Sequence, residues 1–252
     1  MWSPISSTLV YGERDAVLVD PVMTVQQAVA LAEWVETYDR NLTTVYVTHG
    51  HGDHWFGLAT LLERFPTARA VATPAVVEHM AKQMEPSFVE SFWNARFPGQ
   101  IPDRLVAADP LKDQVLELEG RELTVVPLGH TDTDDTTALH VPSIGLVIAG
   151  DAAYNDVHLY LAESPSEGRK AWKEALGVIA GLGADHVVAG HKRPGRPDSP
   201  NILAETRAYI DDFEDCVART ASTEELYQAM LEIHPDRVNP GALWGSARSV
   251  KG

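Results

Sequence analysis

Cysteine is nearly absent. Cys216 stands alone among 252 residues, which excludes an internal disulfide and any thiolate-rich metal site. Basic residues are scarce, 20 Lys and Arg against 36 Asp and Glu, for a net charge of −16. That balance speaks against binding nucleic acid through its phosphates, which requires basic surface. No apolar run approaches the roughly 18 residues of a membrane span. The first residues, MWSPISSTLVYGERD, hold neither a basic n-region nor an apolar h-region, so no secretory leader is expected and a cytoplasmic location is the default. No G-x-G-x-x-G loop follows a strand, so a dinucleotide fold has no support. What remains is an ordinary globular composition, 44% hydrophobic and 22% charged, without low-complexity stretches.

The apolar pattern predicts alternating hairpins and strand–helix units. STLVYGERDAVLVD reads as two strands around a turn, and VLELEGRELTVVPL as a hairpin turning at Glu119-Gly120. TTALHVPSIGLVIAGD reads as a third hairpin. Thr24 is a candidate cap for a helix with an apolar stripe of Val25, Val29, Ala32 and Val35. LTTVYVTH and ARAVAT read as buried strands, and WFGLATLLERFP as a helix stopped at Pro66. Residues 75–97 read as two helices broken near Pro86. PSEGRKAWKEALGVIAGL is helical, ADHVVAGH a strand, and the rest mostly helix. Mixed hairpins and crossovers predict an α+β class, two mixed sheets with helices outside, in a single domain over 1–252.

One stretch stands out: VTHGHGDHWFG, with His49, His51, Asp53 and His54 between a strand and a helix. In extended chain, residues i and i+2 point the same way, so His49 and His51 converge, while Asp53 and His54 aim elsewhere. A cluster with two aims suits two adjacent metal ions. Three more metal-capable residues end apolar strands, each straight after a glycine: His130, Asp151 and His191.

In these residues the chain resembles the metallo-β-lactamase superfamily, whose signature is H-x-H-x-D-H followed by His, Asp and His at later strand ends. The resemblance runs over roughly residues 5–195 in the right order. It implies an αββα sandwich with metals at one edge of the sheets. By the same resemblance, His49, His51 and His130 hold the first ion, Asp53, His54 and His191 the second, and Asp151 bridges them. Two zinc ions are the usual occupants, with iron or manganese admitted by the N/O donors. The reaction implied is attack of hydroxide on the carbonyl of a small ester, thioester or lactone, with Asp53 as general base. Tyr154, three residues beyond Asp151, matches a tyrosine that lactonases of the superfamily direct at the substrate carbonyl. A non-hydrolytic, iron-dependent oxidative or merely metal-binding member is the alternative, as is a β-lactam hydrolase.

The chain departs from several branches. Asp151 stands in the region where common β-lactamases have cysteine, and His51 where diiron flavoproteins usually have Glu. SARSVKG offers no convincing glutathione-binding tail. After GHT the chain has DTDDTT instead of a Gly-Ser turn, which reads as a solvated acidic loop. A helical insertion at about 74–97 carries Val76, Met80, Met84, Phe88 and Phe92 at i, i+4 spacing, with Trp93 beside them. It reads as core, as a cover over a small-molecule substrate, or as a homodimer surface. Pocket candidates are Trp55, Met80, Phe88, Trp93 and His158.

Overall fold

The computed structural model describes residues 2–252. The first segment is a hairpin, β1 (Thr8–Tyr11) and β2 (Asp15–Val19), paired antiparallel. Helix α1 (Val25–Glu36) follows, then β3 (Asn41–Tyr46), α2 (Leu58–Arg64), β4 (Arg69–Ala72), α3 (Pro74–Gln83), the short α4 (Pro86–Phe88) and a π-helical stretch, Val89–Asn94. Strand β5 (Asp109–Pro110) closes a five-stranded sheet of order β1-β2-β3-β4-β5, parallel from β2 onward. The second sheet contains β6 (Val115–Leu118), β7 (Arg121–Gly129), β8 (Thr136–Val141), β9 (Leu146–Ile148) and β11 (His186–Val188), in the order β11-β9-β8-β7-β6. A two-stranded pair joins β10 (Tyr154–Asn155) to β12 (His191–Lys192) in parallel. Helix α5 (Ser166–Gly181) lies between β10 and β11 in sequence, and α6 (Asn201–Arg219), α7 (Thr223–Ile233) and α8 (Pro240–Lys251) end the chain. These are two mixed sheets flanked by helices, the class expected from the sequence.

By its own packing the chain divides into two compact units, Ser7–Val126 and Pro127–Gly252, the latter together with the residues up to Ser6. In the first unit the strands β2 and β3 supply a dry centre: Val17, Leu18, Val19, Val45 and Tyr46 are inaccessible to solvent. Burial on both faces is what a parallel strand with helices about it requires. Helix α1 starts where expected, through a capping box: Thr24 Oγ1 accepts from Gln27 N, and Gln27 Oε1 accepts from Thr24 N. Its buried stripe, however, is Ala28, Ala32 and Val35, while Val25 and Val29 are 40% and 42% exposed. Bulk is no guide here: the small alanines form the buried face, and a Cβ on Gly57, just ahead of α2, would lie 3.0 Å from Ala28 Cβ. The turn residue Glu119 accepts from the backbone N–H groups of Glu13, Arg14 and Asp15, which ties two hairpin turns and lowers its pKa from the usual range.

In the second unit α6 buries Ile202, Leu203, Thr206, Tyr209, Ile210, Phe213 and Cys216, a 3.6-residue stripe. Cys216 is thus a buried core thiol. Among the described residues, no helix is long and apolar enough to cross a membrane.

Candidate metal centre

The first unit carries the H-x-H-x-D-H loop. It leaves β3, passes Thr48, and ends in a single 3-10 turn over Gly52–His54. His49, His51, Asp53 and His54 are all buried. The loop is tied down at both sides. Trp55 Nε1 donates to Gly50 O at 2.8 Å. Asp20, at the end of β2, accepts from Thr48 N through Oδ1 and from Thr48 Oγ1 through Oδ2. Asp20 itself has φ 56°, a left-handed conformation that Asp tolerates better than most residues.

These bonds fix imidazole tautomers. The Thr48 hydroxyl donates to Asp20, so at 3.0 Å its oxygen accepts from His49 Nδ1–H. His54 Nδ1 lies 3.2 Å from Asp20 Oδ2 and donates to it. With Nδ1 carrying the proton, Nε2 holds the lone pair in both rings, the arrangement metal-binding histidines use. Asp20, His49 and His54 offer donor atoms mutually within 4.8 Å, as do His49 with His51 and Asp53 with His54. Asp20 was not foreseen from the sequence. Its signal is the run VLVD, an acid ending a dry strand.

Gly50 and Gly52 sit where no side chain fits. A Cβ at Gly50 would lie 2.3 Å from His79 Cγ, and one at Gly52 would lie 2.4 Å from Phe56 Cζ. His79 therefore packs against the loop, its ring 5.9 Å from that of His51.

The second unit carries its own cluster, with Asp151 and His191. Asp151 sits in a 3-10 turn, Gly150–Ala152, anchored by Trp172 Nε1 donating to Ala152 O. A Cβ on Gly190 would come within 2.0 Å of Asp151 Oδ1, so that position admits glycine alone. His191 Nδ1 donates to Pro4 O at 3.1 Å, and its Nε2 lies 3.1 Å from Asp151 Oδ2. The same carboxylate oxygen accepts from the Tyr154 hydroxyl at 2.8 Å. Tyr154 is fully buried and pairs with His191 across β10 and β12.

His130 lies elsewhere. Its Nδ1 is 2.6 Å from Asp134 Oδ1 and its Nε2 3.1 Å from Ser164 Oγ, and its side chain is 17% exposed. The residue beside Asp151 is Asp132, which is fully buried, with carboxylate oxygens of the two within 4.8 Å. The acidic turn is thus only half solvated: Thr131, Asp132 and Thr133 are buried and Asp134 and Asp135 exposed.

Of the pocket candidates, Trp55, Met80 and Trp93 lie in the core of their unit. Trp93 Nε1 donates to Gln83 Oε1, and its ring meets Phe56 edge-on. Phe88 is half-buried and stacks on Phe92. His158 is fully buried in the second unit with Nδ1 2.9 Å from the Tyr209 hydroxyl, and burial pulls its pKa down to about 4.

The donor set fits divalent metal. Buried imidazoles with Nδ1 already committed, beside buried carboxylates, supply nitrogen and oxygen donors of the kind zinc, iron and manganese take. Burying so many acids without a cation is costly.

Comparison with known proteins agrees with this chemistry. The family model of the metallo-beta-lactamase superfamily matches residues 1–191. No curated protein matches the chain. Among solved structures, a metallo-beta-lactamase family protein from Thermus thermophilus is similar at 22% identity and TM-score 0.69, over 98% of this chain and 86% of that one. A metallo-beta-lactamase from Pontibacter korlensis is similar at 19% identity and TM-score 0.63, over 83% and 88%. A Pseudomonas aeruginosa metallo-beta-lactamase in its mono-zinc form gives 19% identity and TM-score 0.62, over 83% and 84%. At these identities the structures speak for the fold, whereas the family model covers residues 1–191, about three quarters of the sequence: the chain belongs to the metallo-beta-lactamase superfamily.

Proposed function

We propose that the chain is a metal-dependent hydrolase acting on the carbonyl of a small ester, thioester or lactone. The observation that carries this is the tautomer control. His49, His54 and His191 each commit Nδ1 to an oxygen acceptor, on Thr48, Asp20 and Pro4, and so present Nε2. The metals, two zinc ions in the commonest case, would be held by His49, His51, Asp53, His54, Asp151 and His191. When bound they supply a nucleophile at neutral pH and polarise the carbonyl.

The protein's own groups do the rest. Asp20 holds Thr48 and His54 in register, so the imidazoles need no reorganisation during turnover. Asp53, buried with Oδ2 4.0 Å from His54 Nε2, would serve as the general base that takes a proton from water. Tyr154 donates its hydroxyl proton to Asp151, which steadies that carboxylate and tempers its charge. In the sequence-based expectation the same hydroxyl faced the substrate; a role on Asp151 now has the geometry in its favour.

The test is a screen of the purified protein, loaded with zinc, iron or manganese, against lactones, thioesters, simple esters, phosphoesters and lactams. Turnover of a lactone, thioester or ester, abolished by chelation and restored by metal, is the expected result. Oxygen consumption with an iron-loaded sample and no hydrolysis would replace this reading with the oxidative one.

A further inference from the structure

We infer that Asp132, not His130, supplies the donor beside Asp151, in the ligand position that the superfamily's pattern gives to histidine. The inference rests on the metal-dependent reading above and deepens it.

The local chain explains the exchange. His130 and Asp132 are two residues apart and would share a face if the strand continued. It does not continue. Gly129 takes φ 71°, and Thr131 N donates to Thr133 O, so the backbone turns sharply between the two residues. The turn sends His130 outward to Asp134 and Ser164, which engage both ring nitrogens. It sends Asp132 inward, where Thr131 Oγ1 donates to Asp132 Oδ1 and fixes the rotamer. A second observation points the same way. A Cβ on Gly168 would fall 2.5 Å from His130 Nε2, so His130 occupies a fitted place against the start of α5 rather than a swinging one.

Two buried carboxylates within 4.8 Å of each other repel in a medium of low dielectric. His191 Nε2 already stands 3.1 Å from Asp151 Oδ2. A divalent cation shared by the two acids resolves the repulsion and uses the nitrogen. Replacing a neutral imidazole by a carboxylate adds one negative charge and one hard oxygen donor. Such a set moves preference from zinc toward manganese or iron(II), which tolerate oxygen-rich coordination.

The experiment measures metal, not turnover. The full chain is stripped with chelator, titrated calorimetrically with Zn²⁺ and separately with Mn²⁺, and its bound metal counted after desalting. Asp132→Asn keeps the shape and an acceptor for Thr131. It should weaken one ion by at least about 10–100-fold, the loss typical even of residues one step removed from a metal. His130→Gln should leave both ions within about twofold. Asp132→His should recover zinc but not manganese. Melting of the stripped proteins separates this role from a structural one: Asp132→Asn should melt no lower than the parent without metal and gain less on adding it. Loss of an ion in His130→Gln with both retained in Asp132→Asn overturns the inference, as does retention of both ions in both variants. A parental chain that binds no metal sinks the hydrolase reading itself, and this inference with it.

Discussion

At the scale of single residues, the candidate ligands were legible and the groups that orient them were not. His49, His51, Asp53, His54, Asp151 and His191 are recognisable because each is polar where an apolar run stops. Asp20 and Pro4 act on those ligands from positions 34 and 187 residues away in sequence, separations that no local pattern encodes. Asp20→Asn leaves an acceptor for Thr48 but exchanges the carboxylate facing His54 for an amide. Zinc affinity should fall about 10–100-fold in calorimetry with the fold retained. Tyr154→Phe removes the hydroxyl from Asp151. Its effect should therefore appear in metal affinity as well as in kcat. A lower kcat with unchanged affinity would return the hydroxyl to the substrate's carbonyl oxygen.

At the scale of elements, periodicity located nearly every helix and hairpin, and it failed where size and burial part company. Helix α1 shows this with Ala28 buried and Val29 exposed. The 74–97 segment shows it too: α3 and the π-helical stretch after it carry one apolar stripe in sequence but two environments in the structure. Met80 and Trp93 are core, while Phe88 and Phe92 are half-buried. Met80→Ala should cost about 2–5 kcal/mol of stability by chemical denaturation. Phe88→Ala should cost less than about 1 kcal/mol. Any change in KM with substrate chain length should follow Phe88 and Phe92.

Helix α6 joins the same scale through His158, which is held neutral against Tyr209. Burial is the largest cause of its depressed pKa of about 4, followed by the charge of Arg237. An unfolded histidine titrates near 6.5, so between pH 6.5 and 4 the unfolded chain binds the extra proton. Stability from this group is complete above pH 6.5 and falls as pH drops toward 4, by on the order of 3 kcal/mol. His140 and His234, also lowered chiefly by burial, add the same sign. Denaturation midpoints at pH 7, 5.5 and 4.5 should decline in the parent and decline less steeply in His158→Gln.

At the scale of the whole chain, the class of fold was legible from the order of hairpins and crossovers, while the two compact units were not. The expectation of one domain came from the absence of a linker, and the boundary between Val126 and Pro127 has none because it falls inside β7. Equally hidden was the company kept by the first residues. Ser6 N donates to Gly190 O, Lys192 N to Pro4 O, and Asn239 Nδ2 to Ser3 Oγ. Deleting residues 2–6 removes the acceptor of His191 Nδ1. Metal affinity should drop about 10–100-fold, as for other lost orienting partners, while the Ser7–Val126 unit keeps its helical circular dichroism.

That attachment has a consequence for the order in which the chain is made. Residues 2–6 leave the ribosome long before their partners at 190–192 and 239. Ser7–Val126 holds every strand of the five-stranded sheet, β1 to β5, and that sheet is free to form during synthesis. The segment ahead of it must wait, tethered to a finished neighbour, until those later residues arrive to claim it. His191 thus receives its orienting carbonyl among the last events of folding, so the metal-binding geometry matures after most of the core is set.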